Sequence, residues 1–279
     1  MTSPLQYWES LVSEDEGLPL FEAAVAIAQD AYPLLDLADL MARIDAMALK
    51  LNERIAPDAP ALHRLRMLNH YFFDELHFHG NVNDYYDTDN SYLNRVIERR
   101  CGIPISLAAV YLELGQQIGL ALEGVSFPGH FLVKLKMHDG SVFIDVFDGG
   151  KSLTRVELEE RLEPYASAHG IAVDELLPRF LGAASARDIL ARMLRNLKGI
   201  YTREGNQAAL LAVLHRLVVL LPDDPIERRD RGLCYAALEC PRAAMDDLQA
   251  YLESSPEAPD RAAVAERIAA LKTAADRLN

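Results

Sequence analysis

Cys101-Gly102-Ile103-Pro104 leads into Ile105-Ser106-Leu107-Ala108-Ala109-Val110-Tyr111-Leu112-Glu113-Leu114-Gly115-Gln116-Gln117-Ile118, a run too apolar on all sides to lie on a surface. A helix that is hydrophobic all round is a buried one. Gly102-Ile103-Pro104 breaks the chain ahead of it, and proline suits a first helical turn, where a missing N–H costs little. Gly119 ends it. Just upstream, Ser91 is placed to cap a short helix running to about Arg100. Downstream the texture changes. Gly124 to Phe127 is a short extended run, His130 to Lys136 (HFLVKLK) alternates and carries β-formers, and Val142 to Phe147 (VFIDVF) makes a second strand. His138, Asp139, Gly140 and Ser141 supply turn chemistry between them, with the turn expected at about Asp139-Gly140. Asp148-Gly149-Gly150 closes the hairpin. A buried helix with an antiparallel hairpin packed on it predicts an α+β core over residues 91–180.

Residues 1–90 read as a helical region of that core. Leu37, Met41, Ile44, Ala48, Leu51 and Ile55 alternate steps of four and three, which gathers them on one helix face, with Pro33 near its start. Pro57 and Pro60 end that helix. Leu62, Leu65, Leu68, Phe72 and Leu76 then repeat the pattern, and Gly80 to Asn90 is polar, aromatic and expected as a loop.

Residues 181–279 are expected to be helical throughout, with a repeat. Tyr201 and Tyr235, Leu214 and Leu248, Leu217 and Tyr251, and Pro222 and Pro256 each stand 34 residues apart. That period, with Gly232, Tyr235, Ala244 and Pro256 in their places, is the tetratricopeptide signature. Each unit is a helix pair that cannot bury its apolar face alone, so units stack, and Arg261 to Leu278 is expected as a capping helix.

Composition narrows the function classes. The formal net charge is −14, and the densest cationic spot, Arg95 to Arg100, is interrupted by Glu98 and reads as a solvated helix face. No nucleic-acid partner is expected. Met1 to Ser10 has neither a basic nor an apolar signal region, and the most apolar helical stretch, Leu210 to Leu221, contains His215 and Arg216. A soluble cytoplasmic protein without a membrane partner is the expectation. Cys101, Cys234 and Cys240 make no disulfide framework, and Cys234 reads as a buried apolar residue of a helix. No cofactor motif is present: Gly149-Gly150 is a turn, not a phosphate loop. No metal site is expected either. His63, His70 and His77 are seven apart, about 10.5 Å along a helix axis, too far to share one ion. His77 and His79 form only a weak chelating pair.

One constellation could carry chemistry. A thiol near a helix N-terminus is favoured as thiolate, which points to Cys101. His130, at the start of a neighbouring strand, could take its proton, and Asp145, on the adjacent strand, could hold the imidazole in one tautomer. Ser106 is a nearby hydroxyl, but its place within the helix suits a bond to backbone.

The motifs Ser91-Tyr92-Leu93, Val96-Ile97-Glu98-Arg99-Arg100, Gly102-Ile103-Pro104-Ile105-Ser106-Leu107, Pro128-Gly129-His130-Phe131-Leu132 and Ile144-Asp145-Val146-Phe147-Asp148-Gly149-Gly150 resemble the SirB-type family. The likeness is most specific over residues 91–150. It implies a transglutaminase-like (papain-like) core followed by tetratricopeptide repeats, and the family name carries an association with regulation. In the broader transglutaminase-like pattern, the Gly-x-Cys that opens the buried helix falls on Gly102-Ile103-Pro104. Ala108, Gly119, His130 and Asp145 fall on further positions of that pattern. Pro104 therefore stands where the nucleophile would be. Two readings follow: a cytoplasmic regulatory or adaptor protein whose repeats bind a protein partner, or a cysteine-dependent acyl-transferase or amide hydrolase using Cys101, His130 and Asp145. Neither implies a particular oligomeric state. For the second, Cys101 would have to fold back from three residues upstream, up to about 10 Å along an extended chain.

Overall fold

A computed structural model describes residues 3–277 of the chain. These form two compact units. The larger comprises Pro19–Ala28 and Leu34–Met193. The smaller takes the described residues up to Leu18, Gln29–Pro33, and the described residues from Leu194 onward.

In chain order, α1 (Pro4–Val12) begins with a capping box between Ser3 and Gln6, and α2 (Leu20–Ala26) runs into a 3₁₀ turn at Ile27–Gln29. The next helix, α3 (Leu37–Asn52), is capped by Asp36, so Pro33 precedes the helix instead of sitting in its first turn. It buries Leu40, Ile44, Ala48 and Leu51, the face that the sequence spacing predicts. Helix α4 (Ala61–Asn69) continues into a π turn, His70–Glu75. Its buried face is Leu65, Leu68, Tyr71 and Phe72, whereas Leu62 is exposed. The segment expected as a loop opens on β1 (His79–Gly80) and ends in a 3₁₀ turn, Thr88–Asn90.

The cap of α5 (Leu93–Arg99) is Tyr92, not Ser91, which is itself buried. Arg100, in the left-handed region, ends that helix, and β2 (Cys101–Gly102) pairs in parallel with β1. Then comes α6 (Pro104–Gln117), with Pro104 in its first turn and residues 104–112, Leu114 and Gly115 all buried, as its composition requires. It packs against α2 to α5 on one side and against the sheet on the other.

That sheet has four antiparallel strands in sequential order: β3 (Leu122–Val125), β4 (Leu132–Met137), β5 (Gly140–Asp145) and β6 (Lys151–Leu153). It is thus larger than the hairpin read from sequence. Met137 pairs with Gly140, which puts the turn at His138-Asp139, one residue earlier than expected. Strand β4 begins two residues beyond His130, and β5 ends at Asp145, not Phe147. The alternating pattern continued past the ladder at both ends, so the residues near its open end were overextended into strand. Helices α7 (Arg155–His169) and α8 (Val173–Phe180) cover the outer face, where Leu158, Leu162 and Leu177 meet Val125 and Leu132.

The smaller unit contains the repeats. Helix α9 (Ala186–Glu204) crosses the unit boundary after Met193, and α10 (Gln207–Leu220), α11 (Pro225–Ala237), α12 (Pro241–Ser254) and α13 (Arg261–Arg277) follow. Leu278 of the expected capping helix lies outside the described residues. The 34-residue period is physical: Leu214 and Leu248 are both fully buried, as are Leu217 and Tyr251, to within 1%. Gly232 is glycine because α11 and α12 approach closely there. A Cβ would stand 2.9 Å from Leu248 Cγ and 3.1 Å from Asp247 Cβ. Cys234 is buried within α11, and its Sγ lies 3.4 Å from the Gln207 carbonyl oxygen. Helix α1 packs on α10 within this unit, and the indole Nε1–H of Trp8, fully buried, donates to the Arg216 carbonyl at 3.3 Å. No helix among the described residues is long and apolar enough to cross a membrane.

Candidate functional site

Where β5 ends, the carboxylate of Asp145 is almost completely buried, at 1% exposure. Burial alone would raise its pKa, but hydrogen bonds from His130 and Arg161 outweigh that and hold it down at about 2. One oxygen, Oδ1, lies 2.8 Å from His130 Nε2 and also accepts from the backbone N–H groups of Phe147 and Asp148 at 3.1 and 3.2 Å. The other, Oδ2, accepts from Arg161 Nη1 at 2.6 Å. An ionised carboxylate only accepts, so the shared proton sits on His130 Nε2 and the Nδ1 of the neutral ring is an acceptor. The imidazole is thereby fixed in one orientation and one tautomer.

The backbone that carries His130 is held from a second side. Its own N–H donates to the Phe127 carbonyl across a turn at 3.1 Å. The Arg192 guanidinium donates from Nη1 to the Phe127 carbonyl at 3.2 Å and from Nη2 to the His130 carbonyl at 2.7 Å, and lies over the Phe131 ring. An aromatic row leads away from the imidazole. The Phe147 ring meets it edge-on at 6.1 Å, Tyr85 packs on Phe147, and Tyr86 on Tyr85. Phe147 lies against the backbone of β1: a Cβ at Gly80 would come within 2.5 Å of its ring. The loop that presents Tyr85 is built by Asn90, fully buried, whose Nδ2 donates to the carbonyls of Asp84 and Tyr85 and whose Oδ1 accepts from Asn81.

Pro104 occupies the first turn of α6 and offers no reactive atom. Two residues on, the Ser106 hydroxyl is fully buried. It donates to the Asn90 carbonyl at 2.5 Å and accepts from the Ile103 N–H at 3.1 Å, so its bonds are to backbone. Cys101 lies in β2, just ahead of α6. It forms no hydrogen bond with His130 or Asp145, and its partner across the short ladder is His79. Burial pushes its thiol pKa up; Arg99 opposes this and Asp87 adds to it. Arg99 is itself engaged by Asp87 at 2.7 Å, so little of its charge is left to stabilise a thiolate. The structure thus pairs His130 with Asp145 and shows no hydrogen bond from Cys101 to either residue.

Arg161 and Arg192 were not singled out by sequence. They arrive from α7 and α9, 16 and 62 residues from the groups they hold, and no local pattern marks them. Among the described residues no three His, Cys, Asp or Glu side chains are grouped to hold a metal ion. A fixed imidazole whose Nδ1 has no hydrogen-bond partner among the described residues can accept a proton or a hydrogen bond. Covalent acyl transfer would require a nucleophile beside it as well.

Comparison with known proteins agrees with this architecture. The model of the transglutaminase-like superfamily matches residues 38–195, and that of the tetratricopeptide repeat matches residues 197–269. A UPF0162 protein of Xylella fastidiosa (strain 9a5c) is 39% identical over 253 residues, covering 90% of each chain. The UPF0162 protein YchA of Escherichia coli (strain K12) is 30% identical over 244 residues, 88% of this chain and 87% of its own. F-box only protein 21 of Pongo abelii is 31% identical over 226 residues, which cover 70% of this chain and 35% of that longer one. No solved structure matches. The chain belongs to the transglutaminase-like superfamily, in the UPF0162 architecture that follows such a core with tetratricopeptide repeats.

Proposed function

We propose that this protein is a cytoplasmic regulator or adaptor of the SirB type. In this reading the transglutaminase-like core binds but does not carry out acyl transfer, and the repeats engage a protein partner. The observation that carries the proposal is Pro104, which gives the first turn of α6 no nucleophile while His130 and Asp145 stay paired. The raised thiol of Cys101 supports it, because a cysteine nucleophile acts as thiolate. The repeat match supports the partner, since stacked helix pairs present extended surface at no cost in core packing.

Chemical crosslinking in the producing cell, read by mass spectrometry, tests this. A partner should crosslink to residues 194–279 and should persist in the Cys101→Ala variant. Loss of that association in Cys101→Ala, or no crosslinked partner at all, would count against the proposal. The competing reading, a cysteine-dependent acyl-transferase or amide hydrolase, is favoured by one observation, the intact His130–Asp145 pair. It requires Cys101 to reach the imidazole and to ionise against its own burial.

A further inference from the structure

Arg100 ends α5 in the left-handed region, at φ 58°, where helices most often place glycine. Its carbonyl accepts from the His79 N–H at 2.9 Å, which ties this strained residue to β1. The side chain is half-buried. Its guanidinium lies over the Phe78 ring, with Cζ 4.8 Å from the centroid, and Nη1 donates to Met47 Sδ at 3.6 Å. Sulfur is a weak acceptor. Nε and Nη2 have no hydrogen-bond partner among the described residues.

Other half-buried arginines of the chain are neutralised: Arg95 holds Asp89 at 2.9 Å, and Arg231 holds Asp247 at 2.7 Å. The charged neighbour of Arg100 is instead a second cation, Arg43. Burial, and then Arg43, push the Arg100 pKa down, and no carboxylate opposes them. Arg43 is exposed, one turn of α3 before Met47, and forms no ion pair among the described residues. On this side of α3 the ionised groups are Arg43, Lys50, Arg54 and Arg100 against Asp39, Glu53 and Glu75, and Glu75 is already held by Arg54 at 2.7 Å. Asp45 points elsewhere and accepts from Gln117. The patch is net positive on a chain of net charge −14.

A partly desolvated cation is ordinarily paired, because burial disfavours the ionised form. Two neighbouring guanidinium groups without a carboxylate are therefore stabilised by an anion that both can reach. Their planar forks match oxyanions bidentately. One carboxylate would neutralise only one of them. A phosphomonoester carries a charge near about −2 at neutral pH and three acceptor oxygens, enough for both.

We propose that Arg43 and Arg100 bind a phosphomonoester dianion where α3 meets the end of α5. The site uses neither the His130–Asp145 pair nor the repeats, so its failure would leave the partner-binding reading untouched.

Isothermal titration calorimetry of the full-length protein at fixed ionic strength tests this. The probes are glycerol phosphate, a phosphoserine peptide, the same peptide unphosphorylated, and acetate. Both phosphomonoesters should bind, and the other two should bind about tenfold or more weakly. Arg43→Gln and Arg100→Asn should each weaken phosphomonoester binding by about tenfold or more. Asparagine tolerates left-handed φ, so Arg100→Asn should fold, which circular dichroism checks. Arg66 of α4 is exposed and lies outside the pair, and Arg66→Gln should bind as the parent does. Tighter binding of the phosphopeptide than of glycerol phosphate assigns the anion to a modified side chain. Equal or weaker binding assigns it to a small ester, and either result upholds the site. No preference for phosphomonoesters over acetate, undiminished binding in either site variant, or an equal loss in Arg66→Gln overturns the inference.

Discussion

Asp145→Asn removes one charge from the most constrained point of the larger unit. The carboxyl, at 1% exposure, accepts from His130, Arg161 and two backbone N–H groups. Its pKa falls from 3.8 to about 2 on folding. Each pKa unit is worth about 1.4 kcal/mol, so ionised Asp145 contributes about 2 kcal/mol at neutral pH. Because the folded value lies below the unfolded one, that contribution is complete above about pH 4 and disappears as the pH falls through about 2. The amide keeps the shape and one acceptor but cannot pair with Arg161, so the variant should lose about 2 kcal/mol at pH 7 and about half of that at pH 3. Trp8, the single tryptophan, lies in the other unit and would miss the effect. Hydrogen exchange of the β4–β5 amides reports on the right place, and protection should fall by about tenfold or more at neutral pH. A penalty below about 0.5 kcal/mol, or one equally large at pH 3, would show that ionised Asp145 does not organise this site.

Other substitutions probe the remaining contacts. Gly80→Ala drives a methyl into the Phe147 ring and should cost about 1–3 kcal/mol by the same exchange measurement, disturbing the Tyr85 loop first. In the repeats, Gly232→Ala presses on Leu248 and Asp247 and should lower the midpoint of Trp8-detected unfolding by a similar free energy. Trp8→Ala empties a fully buried site on α10 and should cost about 3–5 kcal/mol in urea unfolding followed by circular dichroism. Arg216→Met should cost about 1.5–3 kcal/mol in that assay, because it strips Asp30 of its partner and takes the guanidinium away from the Trp8 ring. Arg216 is 1% exposed and binds Asp30 through Nε, and neither Nη group has a hydrogen-bond partner among the described residues.

Much of the fold was legible because the decisive patterns are local. The all-round apolar run of α6 could only be buried, and the 34-residue spacing named pairs such as Leu214 and Leu248 that share one environment. His130 and Asp145 were legible through the motif, although His130 proved to sit in the turn before β4 instead of within the strand. What stayed hidden depends on chain segments meeting late. The β1–β2 ladder has two residues on each strand, too few for a periodic signal. Arg161 and Arg192 look like any helix-surface cations until the helices dock. Nothing in the sequence near Trp8 shows that its partner is 208 residues away.

In the proposed reading no thiolate serves His130, and the reactivity of Cys101 measures that directly. In a Cys234→Ala, Cys240→Ser protein, Cys101 is the only thiol, and its alkylation by iodoacetamide can be followed across pH. The midpoint should lie above that of a free cysteine peptide measured alongside and should not change when His130→Ala is added. Rapid alkylation near neutral pH that is lost with His130→Ala would contradict it and make the core an enzyme.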